Sequence, residues 1–338
     1  MTATTAVRVL DAPAIDGLRF RRLRAGAGRK ADFAAIAELM SIANAFDRIP
    51  WAPSAESLTA ELEHDPTTDL EVDVLLAEVD GLLVGFGQTG RAVRGDEWVH
   101  DLWGFVHPEW RRRGLGRALL HANIARAREV ASGPRPAPAV LSAQAEETEP
   151  GAEALLRSEG FTPVRWFVLM RRQLSHLVPD LPLPDGLEVR PVDPGQYRII
   201  HAAENEAFRD HWGHRETTDA DLEATLAQPD LDTQLWQVAW DGDEVAGVVQ
   251  NWIWRSENER LGLSRGWLEH VSVRRPWRRR GLARALIARS LARFRDAGLE
   301  DAMLGVDSDN PQGALGLYES IGFTVDQRST SYRRPLDR

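Results

Sequence analysis

Apolar and polar positions follow one order along the chain, and they follow it twice. Leu18-Arg19-Phe20-Arg21-Arg22-Leu23 alternates with the period of a half-buried strand, and Leu187-Glu188-Val189-Arg190-Pro191-Val192 repeats the layout in the second half. Apolar residues then return at helical spacing, as Phe33, Ile36, Leu39 and Met40 in the first half and Tyr197, Ile200, Ala203 and Ala207 in the second. The runs Leu75 to Gln88 and Trp236 to Gln250 predict hairpins around Asp80-Gly81 and Asp241-Gly242, because Asp-Gly accepts the positive φ angles of a tight turn. Strands are expected next at Trp98 to Val106 and Trp267 to Val273, then helices at Leu115 to Glu129 and Leu282 to Asp296. Further strands follow at Ala139 to Ala143 and Ala302 to Val306, then a second helix and a last strand after Phe161 or Phe323. In the helix from Leu282, the residues Leu282, Ala285, Leu286 and Ala292 share a mostly apolar face, and Arg284, Arg289, Arg293 and Arg295 lie largely elsewhere, so this helix can pack on a sheet. The pattern predicts an α/β sandwich repeated twice.

A chain of 338 residues suits two such sandwiches, each large enough to bury its own core. Pro179, Pro182 and Pro184 favour extended chain and mark the expected division: an N-terminal domain 1–172, a linker 173–185 and a C-terminal domain 186–338. The shorter proline-rich piece Gly133 to Pro138 reads as a loop inside the first domain. A net charge of −10 opposes a nucleic-acid-binding surface, and no apolar run is long enough to span a membrane. Met1 to Asp16 lacks the layout of a secretory signal, so a cytoplasmic location is expected. With zero cysteines, disulfides, thiolate ligands and a thiol nucleophile are all excluded. His211 and His214 flank Trp212-Gly213 with no third ligand evident, and no metal is expected.

Chemistry enters at two short segments between a predicted strand and a predicted helix, Arg111-Arg112-Arg113-Gly114-Leu115-Gly116 and Arg278-Arg279-Arg280-Gly281-Leu282-Ala283. A glycine bend that opens a helix leaves backbone N–H groups without intrahelical partners beside the positive end of the helix dipole, a place suited to a pyrophosphate. Val106-His107-Pro108-Glu109-Trp110 precedes the first bend and Val273-Arg274-Arg275-Pro276-Trp277 the second, which is followed by Asn310, Ala314, Leu317, Tyr318, Gly322 and Phe323.

Together these segments resemble the Gcn5-related N-acetyltransferase (GNAT) family, in its tandem two-domain form. The resemblance implies a tandem duplication of the GNAT fold, an α/β fold with a mixed, mostly antiparallel central sheet flanked by helices in each half. It implies acetyl-coenzyme A as donor, a small-molecule primary amine as acceptor and direct transfer in a ternary complex. Donor contacts are then expected from Arg278, Arg279, Arg280, Gly281, Leu282, Ala283 and Asn310, and from the backbone of Val271 and Val273. Their first-half counterparts are Val106, Arg111, Arg112, Arg113, Gly114, Leu115 and Gly116. Tyr318, five residues before Phe323, takes the place of the family's tyrosine that protonates the departing thiolate.

Glu269 is the expected base, on the face shared by Trp267, Val271 and Val273, with His270 pointing the other way if the strand is regular. Phe208, His211, Trp212 and Trp252 are the expected acceptor contacts, although tryptophans at strand spacing, here Trp236, Trp252, Trp254 and Trp267, also suit a core. The first half departs from the pattern: Leu156 stands where Tyr318 stands and Leu102 where Glu269 stands. That half is expected to be degenerate and the second catalytic. Acetylation of a thiol precursor's amine and a non-catalytic acyl-coenzyme A sensor remain alternatives, in a monomer or homodimer.

Overall fold

The structure, a computed structural model, describes residues 6–131, 138–310 and 313–337. Residues 133–137 of the expected loop, and the first five residues of the N-terminal segment, lie outside the described residues. The chain packs as two compact units, Met1–Arg165 with Ser329–Arg338, and Trp166–Arg328.

In the first unit β1 (Leu18–Arg21), α1 (Ala27–Asp47), α2 (Ala55–His64), β2 (Val74–Val79), β3 (Leu82–Arg94), β4 (Glu97–Val106), α3 (Leu115–Ala131), β5 (Ala139–Glu146) and α4 (Pro150–Ser158) follow the predicted order with α2 added. Ser54 caps α2 by accepting from the Ser57 backbone N–H at 3.0 Å. The strands are covered on both faces, and their alternation sorts the contacts. Val74, Leu76 and Phe86 meet Phe33, Ile36 and Met40 of α1, whereas Leu75, Ala77 and Val84 meet Leu115, Ala118 and Leu119 of α3.

The second unit repeats this with β6 (Thr162–Gln173, from Trp166 onward), β7 (Glu188–Arg190), α5 (Tyr197–Phe208), α6 (Asp219–Leu226), β8 (Gln237–Asp241), β9 (Glu244–Trp252), α7 (Arg255–Leu261), β10 (Arg265–Val273), α8 (Leu282–Asp296), β11 (Asp301–Asp307), α9 (Ala314–Glu319) and β12 (Thr324–Pro335). Val238 and Val248 face Ile200 and Ala203 of α5, and Ala239 and Val249 share a core with Leu282, Leu286 and Leu291 of α8. Within each unit every strand pair is antiparallel except β4 with β5 and β10 with β11, the pairs joined through α3 and α8.

The boundaries differ from those expected at 173–185. Each repeat's last strand serves the sheet of the other unit: Phe167 to Gln173 pairs with Asp307 to Asp301, and Ser329 to Pro335 pairs with Glu146 to Val140. Residues 173–185 are no solvated spacer either, because Leu174 and Val178 are buried in the second unit's core and Leu181 and Leu183 pack on it.

Two features of β10 position the site. Its parallel pairing with β11 covers only Arg265 to Trp267 against Asp301 to Met303, pinned by a buried Arg265–Asp301 ion pair of 2.8 Å, and beyond Trp267 it pairs with β9 alone. β4 parts from β5 in the same way after Asp101. The second feature has no counterpart: β10 carries a bulge between Leu268 and His270, whereas β3 and β4 keep an unbroken register from Gly85↔Val106 to Arg94↔Glu97.

Candidate active site

The glycine loops have the expected geometry in both units. Arg279 and Gly281 adopt positive φ angles of 63° and 87°, and Arg112 and Gly114 repeat them at 61° and 87°. Gly281 occupies the N-cap of α8, which has no side-chain cap and no acidic residue in its first turn. Its leading N–H groups therefore remain available to an anion. A Cβ placed on Gly281 would meet nothing within 4 Å, so the loop is open on that side.

Arg278 has a different duty from the one expected. Its Nε donates to the Val273 carbonyl at 2.8 Å, one Nη to the Ala207 carbonyl at 2.9 Å and the other to Asp210 at 2.8 Å. Arg111 does the same in the first unit, with Val106 at 3.1 Å and a bidentate pair on Asp47 at 2.7 and 2.6 Å. The first arginine of each triplet thus braces the loop against the end of the preceding long helix. Arg279 and Arg280 are exposed, Arg280 donating to the Asp185 carbonyl at 3.4 Å, so with the backbone amides they remain available to an anion. Arg278→Ala is expected to destabilise the protein by about 1–3 kcal/mol, because two backbone carbonyls lose a charged donor. Thermal and denaturant unfolding check this, and an unaltered midpoint would show that the brace carries no load.

The bulge changes which side chains reach the parting of β10 and β11. Leu268 opposes Asn251 and His270 opposes Gln250, so Glu269 is the extra residue, and both Glu269 and His270 are exposed instead of pointing to opposite faces. Solvent reaches both, yet neighbouring protein still acts on their proton affinity, in opposite balance for the two groups. Burial holds the Glu269 carboxyl above the usual carboxylate range, and the Trp254 hydrogen bond and the His270 charge offset this only in part. Trp254 Nε1 donates to Glu269 Oε1 at 3.0 Å. For His270, burial acts to lower the pKa but is outweighed by Glu204, whose Oε1 lies 3.3 Å from Nδ1, and by the Glu269 charge, so the imidazole titrates above its ordinary value. Glu204 is buried on α5, where Gln250 Nε2 also donates to it at 2.5 Å. A readable signal for Glu204 was available, since it lies on the helix face of Ile200, Ala203 and Ala207.

The expected acceptor residues divide. The Phe208 ring stands edge-on to His211 at 4.6 Å and to His270 at 5.4 Å, so two of them gather at His270, and Trp212 meets Phe167 at 6.1 Å. Burial lowers the His211 pKa and keeps that ring neutral at neutral pH. Trp252 is not at the surface: it is 4% exposed, in a cluster with Trp267 and Met303, and stacks on Trp254 at 4.6 Å. Val271 and Val273 lie on the stretch of β10 that pairs with β9 but no longer with β11, half-buried.

Tyr318 sits in α9, 6% exposed, its ring edge-on to Phe323 at 6.1 Å within the core cluster that also holds Leu282. Burial raises the phenol pKa well above that of free tyrosine, so the group keeps its proton. Asn310 closes the turn after β11, its N–H donating to the Asp307 carbonyl at 3.1 Å and its carbonyl accepting from Gly313 at 3.1 Å, with 311–312 outside the described residues.

Comparison with known proteins agrees with this geometry. The sequence pattern described as "Acetyltransferase (GNAT) family" matches residues 197–323, and that described as "Acetyltransferase (GNAT) domain" matches 71–163. The mycothiol acetyltransferase of Salinispora arenicola is 32% identical over 302 residues, 88% of this chain and 93% of that protein. The chain belongs to the GNAT family of acetyltransferases. Salinispora tropica has a mycothiol acetyltransferase 36% identical over 231 residues, 68% of this chain and 71% of that protein. A GCN5-related N-acetyltransferase from Sphaerobacter thermophilus shares the fold with a TM-score of 0.70 at 24% identity, over 96% of this chain and 97% of that one. A tandem GNAT protein from the clavulanic acid biosynthesis pathway does so with a TM-score of 0.70 at 18% identity, over 95% of this chain and 99% of that one. The chain is therefore an N-acetyltransferase built from two GNAT domains, and GNAT acetyltransferases use acetyl-coenzyme A.

The two GNAT domains differ where chemistry would occur. In the first, Leu156 is buried at the place of Tyr318 in α4, Leu102 is buried on the bulge-free β4, and His100 is sealed at 3% exposure. A Cβ on Gly114 would touch Pro13 at 3.4 Å, so the N-terminal segment borders the loop that is open at Gly281. Glu149 is held above the usual carboxylate range by burial, with the Asp47 charge adding to the effect beside Arg111, and burial pushes Glu146 up to about 7. Among the described residues no group of three His, Cys, Asp or Glu is placed to hold a metal ion, and no helix is long and apolar enough to cross a membrane.

Proposed function

We propose that the second GNAT domain transfers an acetyl group from acetyl-coenzyme A to the primary amine of a small molecule, and that the first domain does not turn over. The observation that carries this reading is the bulge at Glu269, a carboxyl with a raised pKa at the parting of two strands, found only in the domain whose glycine loop is open at Gly281. The cradle suits a diphosphate, since it offers uncapped amides, two positive φ residues and exposed Arg279 and Arg280.

Glu269 takes a proton from the acceptor ammonium, which is otherwise mostly protonated at neutral pH. Along the edge that β10 no longer shares with β11, backbone N–H groups near Val271 and Val273 would donate to a thioester carbonyl. The neutral amine attacks the thioester carbonyl, the C–S bond breaks as the tetrahedral intermediate collapses, and Tyr318 gives its proton to the departing thiolate while the proton shed by the nitrogen restores the phenol. Phe208, His211 and Trp212 border the acceptor's entry, and the absence of cysteine from the chain leaves direct transfer as the simplest route.

For the acceptor, the names of the curated relatives favour one candidate, the deacetylated form of mycothiol, because the likeness extends over most of both chains. The test is release of free coenzyme A across an amine panel that includes this compound beside polyamines and aminoglycosides. Preference for the mycothiol precursor by 10-fold or more in kcat/KM would assign it. Donor binding with no turnover on any amine would favour a sensor instead.

A further inference from the structure

We infer that the α7 insertion holds the base, with Trp254 as a positioning residue for Glu269. The inference rests on reading Glu269 as the base. As a bulge residue, Glu269 faces no partner across β9, so the strand ladder alone does not set the direction of its side chain. Trp254 supplies what the ladder lacks, an indole N–H on one carboxylate oxygen at 3.0 Å that leaves Oε2 for the acceptor.

The indole is itself fixed. It stacks on the buried Trp252 with ring planes 16° apart, and its backbone carbonyl accepts the Asn258 N–H at 2.9 Å. Asn258 then closes the insertion onto β10: its side chain donates to the Arg265 carbonyl at 2.8 Å and its carbonyl accepts from Leu263 at 2.8 Å. Arg265 is the residue that pairs with Asp301 below the parting of the strands. A continuous set of contacts thus runs from the fixed base of β10, through α7, to the carboxylate.

The first domain provides an internal control. There the same two strands are joined by Gly95-Asp96 alone, β4 has no bulge, and Leu102 stands at the matching place. Insertion, bulge and carboxylate are present together in one domain and absent together from the other. A structural role for α7 in closing the sheet edge would not require this coincidence, because the short hairpin closes it equally well.

The charged groups facing Glu269 are His270 beside it on β10 and, behind His270, Glu204 on α5, while β9 and its turn into α7 present only the neutral indole. A donor on the carboxylate favours its charged form. Trp254→Phe keeps an aromatic ring against Trp252 and removes the N–H. It is expected to lower kcat at neutral pH about 10-fold, to move the acidic limb of the pH–rate profile up by about one unit and to leave KM for acetyl-coenzyme A unchanged. Trp254→Met, equally without a donor, replaces it if the phenylalanine variant does not fold. An unmoved limb and unchanged kcat in the Trp254 variant, alongside loss of the limb in Glu269→Gln, would overturn the positioning role and leave the base in place. A limb that survives Glu269→Gln would instead overturn the reading of the base, whatever Trp254 does.

Discussion

Tyr318→Phe is expected to lower kcat by about 10²- to 10⁴-fold while acetyl-coenzyme A binds as before. The substitution removes one hydroxyl and keeps the ring that packs edge-on to Phe323, so neither the core nor the glycine loop is disturbed. Burial of the phenol favours its neutral form. The proton is therefore retained throughout the usual working range, which suits a donor to a leaving thiolate and rules out service as a base. It follows that wild-type activity should show no alkaline fall near the ordinary tyrosine pKa of about 10. Single-turnover and steady-state rates separate the chemical step from product release, and an unchanged chemical rate would remove Tyr318 from the mechanism.

Glu269→Gln is the second large effect, a loss of about 10²- to 10³-fold in kcat together with the acidic limb of the pH–rate profile. Burial raises the folded-state pKa above 4.5, and Trp254 and His270 oppose this with smaller effects. The carboxylate works as a base only when unprotonated, so activity falls as pH drops through that raised value, at higher pH than a glutamate with its ordinary pKa would show. Persistence of the limb in the glutamine variant would transfer the role to another group, His270 being the nearest.

The duplication and both glycine loops were legible because each rests on local order. α8 begins and ends at the predicted residues, since Gly281 and an apolar face define it from within. The strand exchange was not legible: the alternation of Trp166 to Gln173 fits either sheet, and the choice is made by a register with Asp301 to Asp307 that lies far along the chain. Nor was the bulge, because one extra residue in an apolar strand carries no turn residue to announce it. The bracing contacts of Arg278 were hidden for a related reason. Its partners Ala207 and Asp210 precede it by a whole hairpin and strand, and only folding brings them to the loop. α2 and α6 did have local signals in Ser54 and the Thr218–Asp221 capping box, but their short apolar faces gave no clear period.

Titration of the intact protein with acetyl-coenzyme A by calorimetry, in wild type, Gly281→Val and Gly114→Val, addresses the central claim that the open cradle before α8 alone receives the donor. A side chain at Gly281 would both strain a φ of 87° and fill the cradle. One site per chain is expected, weakened at least about 10-fold by Gly281→Val and untouched by Gly114→Val. Two equivalent sites, or binding indifferent to Gly281→Val, would contradict it.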